Sequence, residues 1–213
     1  MTQQVIQQRF DKAILATLPI EVFKGKIVVI KRISDVKKAV GYLMQQQILG
    51  FDTETKPSFK KGKTNKVALL QVATHDVAFL FQLNSLGITD DIVKLLEDKT
   101  ITKVGLSLSD DMRALLQRRK FKPGDFVDVQ NLVKKIGIED MSLQKIYANL
   151  FGMKISKTKQ LSNWNTENLD DKQKKYAALD AYACICIYEK VMELIESHNY
   201  ILQTVNVQTE VAS

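Results

Sequence analysis

Apolar residues fall along this chain in two rhythms. Ile6, Phe10 and Ile14 recur every four residues ahead of Pro19, and Val36, Ala39, Val40, Leu43 and Met44 share one face of a second segment. This period predicts an amphipathic helix over 3–18 and another capped by Ser34. Shorter unbroken apolar runs predict strands: KIVVI (26–30), QILGFDTET (47–55), VALLQVA (67–73) and VAFLFQ (77–82). The turn-like THD separates the last two, and FKKGKTNK (59–66), with Gly62 and Asn65, reads as a hairpin tip. Three strands in a meander follow, the first of them acidic. The rhythm then changes to a helix from Thr89 to Glu97, the strand ITKVG (101–105), a helix from Ser109 to Arg119, a short strand at FVDV (126–129), and mostly helix to about residue 199. A meander followed by strand–helix alternation predicts an α/β fold, a mixed central sheet flanked by helices. The expected organisation is a helical extension over 1–25, one domain over 26–200, and a loosely held polar tail over 201–213.

The acids interrupt this pattern. Asp52 and Glu54 close the apolar run Ile48-Leu49-Gly50-Phe51, and strand alternation puts both on one face, roughly 7 Å apart along the backbone. Two like charges so placed resist ionising together unless a cation lies between them. In the last long helix Asp170 and Gln173 form a capping pair, and Tyr176 and Asp180, four residues apart, stack on one face among Ala177, Ala178, Ala181 and Ala183. An aspartate among residues that small is expected to be buried, and a buried acid needs a partner: an arginine, a helix terminus or a shared metal. A further acid comes from KVGLSLSDDMRALL (103–116), where strand, glycine and helix start leave residues exposed at a strand's carboxyl end. There Asp110 or Asp111 also suits the first turn of a helix.

Composition adds a partner and a compartment. A net charge of +7 and a pI near 9.2 favour a polyanion such as nucleic acid. No run of about 18 uncharged apolar residues is present, so no membrane span is expected. The glutamine-rich start lacks the basic and apolar regions of a secretory signal. Cys184 and Cys186, two apart in a helix, point to different sides, which suits a reducing, cytoplasmic setting.

FDTET, VGLSLSDDMRALL and YAALDAYACICIYEKV, in that order, resemble the three exonuclease motifs of the DEDD 3′–5′ exonuclease superfamily. Tyrosine four residues before the last aspartate resembles the DEDDy branch, which includes ribonuclease D. LLQVAT (69–74) and LSNWN (161–165) are most similar to the Werner syndrome protein exonuclease domain, and the similarity runs over about 26–195. The resemblance implies a ribonuclease H-like fold, metal ligands at Asp52, Glu54, Asp111 and Asp180, Tyr176 beside them, and two Mg²⁺ or Mn²⁺ ions. It also places the second acid at Asp111 rather than Asp110. Polymerase proofreading domains carry an asparagine and an aromatic five and one residues before that acid; here Leu106 and Asp110 stand there, as in Werner-type domains that lack the pair. The implied reaction is removal of nucleoside 5′-monophosphates from a 3′ end.

For the polymer, Lys60, Lys61 and Lys63 at the hairpin tip and Lys157 beyond it are candidate phosphate contacts, with Phe59 and Trp164 as candidate stacking residues. For Trp164 core packing competes with stacking. Ribonuclease D proteins commonly carry helical domains after the catalytic one; none follows here, which tilts the expectation from RNA towards DNA. The alternative reading is a catalytically inactive nucleic-acid-binding module on the same fold.

Overall fold

A computed structural model describes residues 3–58 and 65–204. In chain order the elements are β1 (Gln4–Gln7), α1 (Lys12–Leu15), β2 (Lys26–Ile30), α2 (Ile33–Leu43), β3 (Ile48–Thr55), β4 (Val67–Ala73), β5 (Val77–Gln82), α3 (Leu83–Leu86), α4 (Asp90–Glu97), β6 (Thr102–Gly105), α5 (Leu108–Arg118), β7 (Phe126–Asp128), α6 (Val129–Val133), α7 (Leu143–Phe151), α8 (Asp171–Ser197) and β8 (Tyr200–Gln203). Six strands form one sheet in the order β2-β5-β4-β3-β6-β7. β4 pairs antiparallel with both neighbours and every other pairing is parallel, so β4 alone runs against the rest.

Helices cover both faces. Val36, Ala39, Val40 and Leu43 of α2, with Ile92, Leu95 and Leu96 of α4 and Leu108 and Leu115 of α5, pack on Leu49, Phe51, Leu70, Val72 and Phe81. On the other face the small and branched residues of α8, Ala178, Ala181, Ile185 and Ile187, pack with Val104, Val129, Ile146 and Leu150. Every residue of β4 is buried, which matches its unbroken VALLQVA pattern. Among the described residues no helix is long and apolar enough to cross a membrane.

The mixed sheet, the meander and the strand–helix alternation stand as expected from the sequence. α2 starts one residue earlier than Ser34, at Ile33, and Arg32 bonds Asp35 across its first turn. The two ends differ more. No helix spans 3–18: Gln4–Gln7 is a strand paired in parallel with Tyr200–Gln203, which is therefore not a loose tail. Ile6 is buried through strand alternation, and the Asn149 side chain holds Gln7 by accepting from its N–H at 2.8 Å and donating to its carbonyl at 2.6 Å. Phe10 is buried in a loop whose N–H bonds Asp140 at 2.6 Å, and only one helical turn, capped by Asp11, follows. The four-residue spacing arose from a strand and a turn in succession. Residues 205–213 lie outside the described chain.

Candidate active site

β3 outruns its parallel neighbour. The β3–β6 register ends at Gly50 opposite Val104, while β4 continues to pair with Asp52 through Gln71 and with Glu54 through Leu69. Asp52 and Glu54 thus stand beyond the carboxyl end of β6, in the crevice where mostly parallel sheets expose functional groups. α8 crosses directly above. A Cβ added to Gly50 would sit 1.9 Å from the Ala181 carbonyl oxygen, so the glycine permits a helix–strand approach that no other residue allows. That approach carries Asp180, the neighbour of Ala181, down to the strand. The helix is set by its start: Asp170 accepts from the Gln173 N–H at 2.7 Å, and the Gln173 side chain accepts from the Asp170 N–H at 3.0 Å.

One carboxylate oxygen each of Asp52, Glu54 and Asp180 lies within 4.8 Å of the other two. Glu54 is 9% and Asp180 7% exposed. Burial, then the charges of Asp180, Asp111 and Glu54, hold the Asp52 carboxyl well above the usual carboxylate range. Burial and the same two aspartates push Glu54 up to about 9. Burial raises Asp180 to about 7, against the opposing hydrogen bond of Tyr176 and the charge of Lys157. Asp180 Oδ1 is buried with no hydrogen-bond partner among the described residues. The Tyr176 phenol is pushed up by burial and by Asp180 and Glu54, which keeps it neutral.

Asp111 approaches from α5. Its carboxylate accepts from the Thr53 hydroxyl and stands outside the trio of acids. Burial lifts it to about 6 against the Thr53 bond. Asp110 instead projects to solvent and pairs with Arg113 at 3.0 Å, so the structure separates the two neighbours. Sequence reasoning missed Asp128, which accepts the N–H groups of Ser107 and Leu108 at 3.2 and 3.1 Å and so anchors the start of α5. Ser107 itself takes a left-handed φ of 59°. An acid closing the short strand FVDV was the available signal.

Asp52, Glu54, Tyr176 and Asp180 open into a cavity of about 260 Å³, also lined by Lys157 and Gln160 and by Ser142 and Gln144 at the start of α7. Lys157 thus reaches the acids, whereas Lys159 is paired to Asp170 at 2.6 Å and Lys154 to the Ala16 carbonyl. Ser142 and Gln144 carry no sequence signal that links them to distant acids. Trp164 is a correction: at 1% exposure it presents no face to a base. It packs with Leu69, Leu80 and Ala177, its ring 6.0 Å from that of Tyr176. Phe59, Lys60, Lys61 and Lys63 lie outside the described residues. His75 pairs with Glu189 and His198 ends α8, both away from the cavity lining. Cys184 and Cys186 are unpaired.

A mostly parallel sheet with an acid cluster beyond its strands' carboxyl ends has the layout of a metal-binding α/β domain. Residues 27–196 match the 3′–5′ exonuclease family model, and the chain belongs to that family. The mouse bifunctional 3′–5′ exonuclease/ATP-dependent helicase WRN is 34% identical over 158 residues, 71% of this chain but 11% of the mouse protein. The Nibbler EXO domain of Aedes aegypti superposes with a TM-score of 0.76 at 20% identity, covering 84% of this chain and 94% of that one. Ribonuclease D of Trypanosoma brucei, solved in complex with RNA U12, gives 0.71 at 19% identity, over 90% and 76% of the two chains. These structures share the ribonuclease H-like fold expected from the motifs.

Proposed function

We propose that this chain is a divalent-metal-dependent 3′–5′ exonuclease that hydrolyses nucleic acid to nucleoside 5′-monophosphates. The carrying observation is the trio Asp52, Glu54 and Asp180: three carboxylates within 4.8 Å, Glu54 and Asp180 buried and Asp52 half-buried, with an Asp180 oxygen that nothing among the described residues satisfies. A hard, all-oxygen donor set fits Mg²⁺ or Mn²⁺ rather than zinc. Asp52, Glu54 and Asp180 would hold one ion and Asp52 with Asp111 a second. Bound there, such ions supply an acidified water and positive charge for the departing 3′ oxygen.

The protein's own groups do the rest. Tyr176, a phenol kept neutral and bonded to Asp180, orients the attacking water by accepting or donating a hydrogen bond rather than by deprotonating it. Lys157, next to Asp180 in the cavity, meets phosphate charge. Trp164 packs behind Tyr176 and fixes the phenol's position. The direction of attack and the monophosphate product rest on family membership. A nucleic-acid 3′ end is the proposed substrate, DNA ahead of RNA, and the assay on both polymers tests that order. The proposed catalytic unit spans residues 26–200.

The test uses 5′-labelled DNA and RNA, single-stranded and 3′-recessed, with Mg²⁺ or Mn²⁺. A ladder shortening from the 3′ end, absent in Asp52→Ala and Asp180→Ala, is expected. Binding without shortening in the wild type would replace the enzyme by an inactive binding module.

A further inference from the structure

The central strand β4 carries one polar side chain, Gln71, and it is placed at 0% exposure. Neither its Nε2 nor its Oε1 has a hydrogen-bond partner among the described residues. A buried carboxamide offers two donors and an acceptor, and leaving them unmet costs more than an apolar side chain of the same size would. The position therefore asks what the amide is for.

Its surroundings answer. Leu70 and Val72 of β4 pack on the α2–α4–α5 side, whereas Leu69 packs with Ala177 of α8 and Ala73 with Ala178 and Ala181. Gln71, which alternates with Leu69 and Ala73, faces α8. Across the antiparallel pairing its partner is Asp52. Directly opposed residues on one face have Cβ atoms about 4.5–5.5 Å apart, within reach of a carboxamide. On the other side Gln71 opposes Leu80, which offers no polar group. Asp52 is therefore the ionisable side chain nearest to Gln71 along the sheet.

We propose that Gln71 is a positioning residue for Asp52: when a divalent cation is bound, its unpaired Nε2–H donates to the Asp52 carboxylate across the strand pair and fixes that side chain's orientation towards the ion. This inference rests on the exonuclease reading above and goes beyond it, since no contact of Gln71 with substrate or metal is involved. The amide is kept in an apolar strand at a cost to stability because the carboxylate opposite it must be held in one orientation. Outer-shell partners of this kind typically change metal affinity or activity by about 10–100-fold when removed.

The experiment compares wild type with Gln71→Met, which keeps length and flexibility, and Gln71→Leu as a second apolar filling. Three quantities are read: melting temperature in chelator, Mn²⁺ affinity by calorimetry, and turnover on a 5′-labelled oligonucleotide. Expected is a melting temperature unchanged or raised by about 2–4 °C, with Mn²⁺ affinity and turnover each reduced about tenfold or more. A purely structural role predicts the opposite coupling, and a melting temperature that falls in step with turnover would overturn the proposal. So would variants whose Mn²⁺ affinity and turnover equal those of the wild type. A wild type that neither binds Mn²⁺ nor shortens the strand would instead sink the exonuclease reading itself.

Discussion

Replacing Asp180 by asparagine should make the metal-free protein more stable at neutral and higher pH. Asp180 ionises at 3.8 in the unfolded chain and at about 7 in the folded one, chiefly because it is buried. The folded state therefore holds this proton more tightly, and stability is greatest below the unfolded value. It declines as pH rises from near 4 to near 7 and stays low above. A gap of about three pH units corresponds to about 4 kcal/mol. At 7% exposure, little solvent screening reduces it. The neutral amide removes this cost and lowers the burden on Asp52 and Glu54, for both of which Asp180 is the next cause after burial. It still offers Tyr176 an acceptor. At 2–4 °C per kcal/mol the melting temperature of Asp180→Asn should exceed that of wild type by on the order of 10 °C at about pH 8. The difference should shrink towards about pH 5. The assay is urea unfolding and thermal melting in chelator at both pH values. A wild type whose stability does not fall across that range, or an Asp180→Asn protein less stable than wild type at the higher pH, would refute the electrostatic account.

Three other outcomes are expected. Mn²⁺ should raise the melting temperature of wild type, by the equivalent of about 2.7 kcal/mol at a hundredfold excess over Kd, and should do so more at about pH 8 than at about pH 6; an unchanged melt in calorimetric titration with metal would speak against the site. Gly50→Ala places a Cβ against the Ala181 carbonyl, and should cost about 1–3 kcal/mol in urea unfolding with loss of turnover as Asp180 moves off β3; normal turnover would show that the close approach is dispensable. Thr53→Val removes the hydroxyl that Asp111 accepts from and should raise the Mg²⁺ concentration needed for half-maximal turnover, while Thr53→Ser retains the wild-type value.

Legibility followed the range of the interaction. The capping pair Asp170 and Gln173 was readable because it is local, and it fixes the phase that puts Tyr176 and Asp180 on one face. The acids of β3 stood out because charges at the end of an apolar run need a reason. Asp111 was separable from Asp110 only by resemblance; in space, Thr53 and Arg113 divide them. The pairing of Gln4–Gln7 with Tyr200–Gln203 left no trace, since a polar four-residue strand has no period of its own and its partner lies at the opposite end of the chain. Nor did anything near Ser142 or Gln144 announce that the start of α7 faces the acids. For Trp164, where core packing stood against base stacking, the structure takes the first reading and draws the ring into the core behind Tyr176.

The two-stranded pairing of β1 with β8 has a bearing on how the molecule assembles. It closes a loop containing nearly the whole described chain, and four residue pairs must repay the entropy of that closure. Contacts of such long sequence separation form late on a folding route, and a short ladder at the periphery opens before the core does. The six-stranded sheet and the acids it carries are thus expected to exchange their amides more slowly than the clasp between the first and last strands, the order that hydrogen exchange would read.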